Sequence, residues 1–253
     1  MAWAKSLSNP WLWGAVAAGV VLLRPRAREG LSPTAKPPST PTTGAGCGYP
    51  QTGLPPAPAK TVAELQNRVL GTIRDYNKKI NNTAKSMGFI PDITGKTYAE
   101  YLAEYLVESA LKNKVPLDLL VALARAESSF APTVTTNRYE ALGWTDEAIR
   151  KAVANQWAIG PLQVKPMVFV EVGLPSPIRW LGDPVPWKHP ARLRDAVEAG
   201  ARYLVKQRNR FGSWCAALHA YQVGPGAYQQ GRRNESYVSK IIGWANGYTE
   251  LRT

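Results

Sequence analysis

PLDLLVALARAESSF, residues 116–130, places apolar side chains at helical spacing and then puts a charge where the next apolar residue belongs. Leu120, Ala124 and Glu127 stand at i, i+4 and i+7 and so share one helix face. A carboxyl on that stripe is partly desolvated. Burial disfavours its charged form, so such a Glu stays protonated near neutral pH and suits a general acid. The alternative is a helix-end Glu turned to solvent. Pro116 opens the helix at a position where its missing N–H costs nothing.

Further along, three segments come in order: AIGPLQV at 158–164, HAYQVGPGAY at 219–228 and ESYVSKI at 235–241. Together with Glu127-Ser128 they resemble the lytic transglycosylase domain of the soluble (SLT) type, related in fold to goose-type lysozyme. That family carries Glu-Ser at the end of a buried helix, then Gly-Leu-Met-Gln, then Ala-Tyr-Asn-Ala-Gly-x-Gly, then a Tyr-Val near the domain end. The resemblance covers roughly residues 99 to 245. It implies a mainly α, lysozyme-like helical domain acting on the glycan strands of peptidoglycan; no cluster of Cys and His has metal-ligand spacing, and no cofactor or metal is expected. It also implies roles. Glu127 would protonate the glycosidic oxygen of the MurNAc-GlcNAc β-1,4 bond and then, as carboxylate, take the proton of the sugar 6-hydroxyl, leaving a 1,6-anhydroMurNAc end. Ser128 and Gln163 would orient the substrate, Gly160 would admit the glycan close to the backbone, and Tyr221 and Tyr237 would support Glu127 and the acetamido group. Gln222 and Gly224 complete the expected substrate-binding set.

This sequence departs from the family pattern at Pro161-Leu162, where Leu-Met is usual, and at Gln222, where Asn is usual. Two other readings stay open. A goose-type lysozyme-like hydrolase needs a second carboxylate to place a water, for which Asp183 and Asp195 are the suggestions; a non-catalytic glycan-binding or assembly module needs no Glu127.

Outward from this core the chain changes character. Trp11 to Leu23 is an apolar run of thirteen residues flanked by Lys5 and by Arg24, Arg26 and Arg28. It falls short of the roughly 20 residues of a usual span and lacks a small-x-small cleavage site. Residues 1–29 therefore read as an anchor or signal segment giving a membrane partner. The flanking arginines favour a cytoplasmic location for the chain beyond them. A wall-degrading domain, by contrast, faces the periplasm or the exterior, or travels in a phage virion. Residues 30–60, with eight prolines among Gly, Ser and Thr, read as a semi-extended linker. Cys47 and Cys215 do not look like a disulfide framework.

Thr61 and Glu64 form a capping box before the 3-4 spaced stripe Val62, Leu65, Val69, Ile73, Tyr76, Ile80. Helix 61–86 is expected to pack on the domain, with self-association or an assembly partner as the alternative. Residues 61–96 then form a packing helix and connection, and 97–253 the transglycosylase-like domain. Thr97 and Glu100 repeat the cap, TDEAIRKAVANQWA suggests an extra helix within the 133–157 insertion, and proline-rich 173–190 reads as irregular. Ala199, Gly200 and Ala201 in the helix from Asp195 to Phe211 permit a close neighbour. A net charge of +13 points to anionic surroundings. No dense Lys/Arg run with interleaved aromatics supports nucleic acid, which is not an expected partner.

Overall fold

The structure, a computed structural model, describes residues 47–50, 61–79, 96–131, 134–137, 140–142, 146–180 and 190–252. The expected anchor at residues 11–23 and most of the linker lie outside them. Among the described residues no helix is long and apolar enough to cross a membrane.

Helix α1, Val62–Lys79, starts where the capping box predicts: the Thr61 N–H donates to Glu64 Oε2 (2.7 Å) and the Glu64 N–H donates to Thr61 Oγ1 (3.2 Å). Its stripe of Leu65, Val69 and Ile73 is buried, and α1 lies against α2, Tyr98–Asn113. These three residues of the seam are thus covered within the chain, while Val62 at its start is exposed and Ile80 lies outside the described residues. Helix α2 has its own capping box at Thr97 and Glu100, and Lys114 in the left-handed conformation (φ 54°) closes it. Because α2 touches α1, α3 (Leu117–Ser128) and α6 (Pro190–Phe211), it is buried on most of its circumference. Its polar stripe, Glu100, Glu104, Glu108 and Lys112, is the one face left toward solvent.

Helix α3 is buried without interruption from Leu117 to Ala124 and packs on α9, Glu235–Gly247. After it come two-residue strands, β1 (Val134–Thr135), β2 (Ala141–Leu142) and β3 (Ala158–Ile159), antiparallel in the order β2-β1-β3. Strands this short carry too little alternation to be read from sequence, and a mainly helical expectation omits them. Helix α4, Asp146–Asn155, occupies the insertion where the extra helix is expected. Helix α5, Pro166–Glu171, and a 3₁₀ turn at Pro177–Trp180 lead to α6, which starts at Pro190, five residues before the expected Asp195. Helices α7 (Trp214–Val223) and α8 (Pro225–Gln229) complete the layer beside α6.

One buried charge joins α2 to α6. Burial pushes the Glu198 carboxyl up, but Lys112 (2.9 Å), Arg202 (2.8 Å), Ser109 (2.9 Å) and Asn113 (3.0 Å) outweigh it and hold the group below the usual carboxylate range. A buried carboxylate persists only with such a full set of partners.

The linker expectation needs correction at residues 47–50. Cys47 is disulfide-bonded to Cys215 of α7, with Cα atoms 6.0 Å apart. Tyr49, placed in the linker by composition, is 4% exposed and donates its hydroxyl to Asp118 Oδ1 (2.7 Å). Asp118 also faces Arg252 Nε (3.3 Å) and accepts the Leu119 N–H (2.9 Å). Two anchors, one covalent and one polar, fasten a proline-flanked segment that has too few apolar residues to hold itself.

Gly200 of α6 meets Leu162. A Cβ added at Gly200 would lie 2.5 Å from Leu162 Cδ1 and 2.7 Å from Leu162 Cβ. The methyl end of a leucine rotates away easily, but its Cβ moves only with the backbone. Gly200→Ala gains up to about 1 kcal/mol in helix propensity against about 1–3 kcal/mol for overpacking. We therefore expect a net loss of roughly 1–2 kcal/mol, read as a lower urea midpoint at unchanged slope.

Candidate active site

The last turn of α3 carries Glu127 and Ser128, and the chain then leaves the helix abruptly. Ser129 (φ 54°) and Phe130 (φ 65°) are both left-handed. Their N–H groups close on Arg125 O (3.0 Å) and Ala124 O (3.4 Å). Phe130 is buried beneath the turn, so packing sustains a conformation that non-glycine residues rarely adopt. Glu127 itself is half-buried. Burial pushes its carboxyl up to about 7, against the opposing pull of a hydrogen bond from Tyr237.

Tyr237 lies in the first turn of α9 and donates its hydroxyl to Glu127 Oε1. That turn is fixed from its N-cap: Asn234 Oδ1 accepts the Tyr237 N–H (3.0 Å), and the Asn234 N–H in turn donates to His219 Nδ1 (3.1 Å). His219 is buried in α7, and burial lowers its pKa, which favours the neutral ring this acceptor role requires. Sequence reasoning finds Tyr237 but not Asn234. The overlooked signal is an Asn three residues before the tyrosine, at a helix start.

Ser128 meets the tight turn Gly160-Pro161-Leu162-Gln163, closed by mutual Ile159 and Val164 backbone bonds (3.0 and 2.9 Å). Gly160 (φ 80°) and Gln163 (φ 49°) are left-handed. The Gln163 amide donates to Gly160 O (2.7 Å) and the Ser128 hydroxyl donates to Pro161 O (2.8 Å). Ser128 thus binds this turn to the end of α3, and Gln163 closes the turn on itself. Tyr221 of α7 donates to Leu162 O (2.6 Å) and sets its ring edge against Tyr203 (centroids 5.4 Å). Burial, then the Glu127 charge, raise its hydroxyl pKa well above the ordinary tyrosine value.

Glu127, Ser128, Gly160, Gln163, Tyr221 and Tyr237 are therefore drawn together by hydrogen bonds and by charge. Gln222 and Gly224 are not in that network: Gln222 is exposed, and Gly224 (φ 84°) is the hinge between α7 and α8. Of the two acids suggested for a water-placing role, Asp195 is paired with Arg179 (2.7 Å), and Asp183 lies outside the described residues. Among the described residues no group of three His, Cys, Asp or Glu could hold a metal ion.

Removing the Tyr237 hydroxyl takes away a hydrogen bond that favours ionised Glu127. In Tyr237→Phe we expect the Glu127 carboxyl to titrate at a higher pH than about 7, as followed by carbon NMR of the labelled side chain. An unchanged titration would show that the hydrogen bond does not act on the charge.

No curated protein matches this chain. The family model described as transglycosylase SLT domain matches residues 104–242, more than half of the sequence and a span that holds every residue of the site just described. The chain belongs to the transglycosylase SLT domain family.

Proposed function

We propose that this protein is a peptidoglycan lytic transglycosylase that cleaves the MurNAc-GlcNAc β-1,4 bond through Glu127 and leaves a 1,6-anhydroMurNAc end. The observation that carries the reading is the state of Glu127: a carboxyl at the end of an apolar helix, raised to about 7, with a tyrosine hydroxyl on Oε1. Such a group is neutral often enough at physiological pH to give a proton and acidic enough to take one back. Burial and Tyr237 account for its shift, and among the described residues no second carboxylate contributes to it. A like charge beside it would raise it further.

The reaction runs as acid, then base. Neutral Glu127 protonates the glycosidic oxygen as the bond to the anomeric carbon breaks, and the neighbouring acetamido group supports the cationic centre. The carboxylate formed then removes the 6-hydroxyl proton while that oxygen closes on the anomeric carbon, which restores neutral Glu127. An internal nucleophile needs no positioned water and benefits from being already bound. Ser128 and Gln163 hold the 160–163 turn in shape beside Glu127, Tyr237 fixes the carboxyl, and Tyr221 steadies Leu162 O. The Gln222 side chain and the Gly224 hinge would meet the glycan from the exposed end of α7.

The Cys47–Cys215 bond supports a location outside the reducing cytoplasm. We place the domain on the wall side of a membrane, held by the N-terminal segment, or in a virion.

The product decides between cleavage chemistries. We expect muropeptides that lack one water relative to the hydrolysis product, as read by mass spectrometry of an early digest; reducing-end muramic acid as the main product would replace this reading with the lysozyme-like one. The reaction requires protonated Glu127 at its start. kcat/KM should then be level on the acid side and fall as pH rises through about 7.

A further inference from the structure

Beside the site, exposed Arg210 and Arg233 share one face with two aromatic rings, and a third exposed arginine, Arg232, directly precedes Arg233 in the chain. Arg210 at the end of α6 lies over Phe211 (5.2 Å) and donates to Gln229 Oε1 (3.0 Å), Phe211 meets Tyr228 edge-on (4.7 Å), and Arg233 stacks on Tyr228 (3.6 Å). Arg232 adjoins them, its N–H bonded to Ala227 O (3.0 Å). None of the three forms an ion pair among the described residues. Elsewhere on α6, Arg202 pairs with Glu198 and Lys206 with Glu171, while Arg208 lies over the Trp214 ring (5.5 Å). The acid at the border, Glu235, is exposed and lies 3.5 Å from His219 Nε2.

Arg233 is also held in place. Its Nη1 donates to Tyr228 O (2.7 Å) and Arg232 O (2.8 Å), while Nε and Nη2 have no partner among the described residues. A guanidinium fixed on one side presents its remaining donors with little entropy left to lose, a geometry that suits carboxylate. The face adjoins the site. Arg233 directly precedes the Asn234 cap of the turn that carries Tyr237, and Tyr228 stacks on His219, two residues before Tyr221.

We propose that this arginine face binds the free carboxylates of the peptides attached to the glycan strand, so that peptide-bearing strands are preferred to bare ones. The inference rests on the proposed function, because a strand lying against Glu127 carries its own peptides to the neighbourhood of Arg233. That tether raises their local concentration above that of any separate anionic polymer.

The test uses wall sacculi freed of phosphodiester polymers by acid, with or without amidase removal of their peptides. The native protein should show a KM about three- to tenfold lower on the peptide-bearing substrate, as expected for a few exposed ion pairs, and added salt should narrow the gap. Arg210→Gln with Arg232→Gln should raise KM on peptide-bearing strands by that factor and leave kcat, and KM on bare strands, unchanged. Arg233→Lys keeps the charge, loses the fork and should also raise KM. Equal KM on both substrates, equal losses on both, or an effect seen only before the acid wash would overturn the proposal, the last in favour of a phosphodiester ligand. Cosedimentation of Glu127→Gln with the two substrates separates this inference from the reaction. A preference for peptide-bearing sacculi that the arginine changes abolish supports the face, and absence of cleavage by the native protein removes the transglycosylase reading alone.

Discussion

Glu127→Gln is expected to cut peptidoglycan cleavage by about 10³–10⁴-fold, the upper range for a general acid, because one group serves both proton transfers. The fold should survive, since Gln matches Glu in size and can still accept the Tyr237 hydrogen bond. Turbidity loss of purified sacculi, with circular dichroism beside it, gives both readings; a folded variant that keeps a tenth of the rate would exclude Glu127 from the chemistry. The same substitution carries a stability signature. The native carboxyl is raised from 4.5 to about 7, so between those values the folded protein holds a proton that the unfolded chain releases. Native stability therefore falls as pH rises through that window. Gln does not titrate. Glu127→Gln should melt above the native protein at pH 8 and lose that margin toward pH 4, and a margin independent of pH would mean that Glu127 is not raised.

Loss of the Cys47–Cys215 bond is expected to cost about 2–4 kcal/mol, because its closed loop spans a sequence separation of 168 and so restricts most of the unfolded domain. Cys47→Ser tests this without placing a hydroxyl at buried Cys215. Its urea midpoint should fall, and dithiothreitol should lower the native midpoint to the same place while leaving the variant unmoved. If reduction shifts neither, the crosslink holds only the 47–50 segment and not the fold.

The features legible in the sequence are those with local periodicity. The α3 stripe is a local signal, and both capping boxes and Pro116 mark helix starts where the structure has them. Family order adds Tyr221 and Tyr237, which no periodicity separates from ordinary core aromatics. Hidden features depend on tertiary contact. Cys47 sits in proline-rich sequence whose composition argues against packing, and only its distant partner on α7 overrides that. Ser129, Phe130 and Gln163 are left-handed without being glycine, so nothing local announces the sharp end of α3 or the shape of the 160–163 turn. Ser128 and Gln163, expected to orient substrate, also donate to the Pro161 and Gly160 carbonyls, contacts that no local pattern foretells.

The crosslink also sets a path for mechanical load. A pull on the chain ahead of Cys47 is handed through a covalent bond directly to the first turn of α7, bypassing α1 to α6. With the bond closed, tension meets the packed α6–α7 layer all at once. With it open, the same tension would fall first on the Tyr49–Asp118 hydrogen bond and then peel α1 from α2 contact by contact, a much weaker geometry. If an enzyme tethered at its N-terminus works on a wall that strains against it, the redox state of two cysteines decides whether the fold is sheared or unzipped.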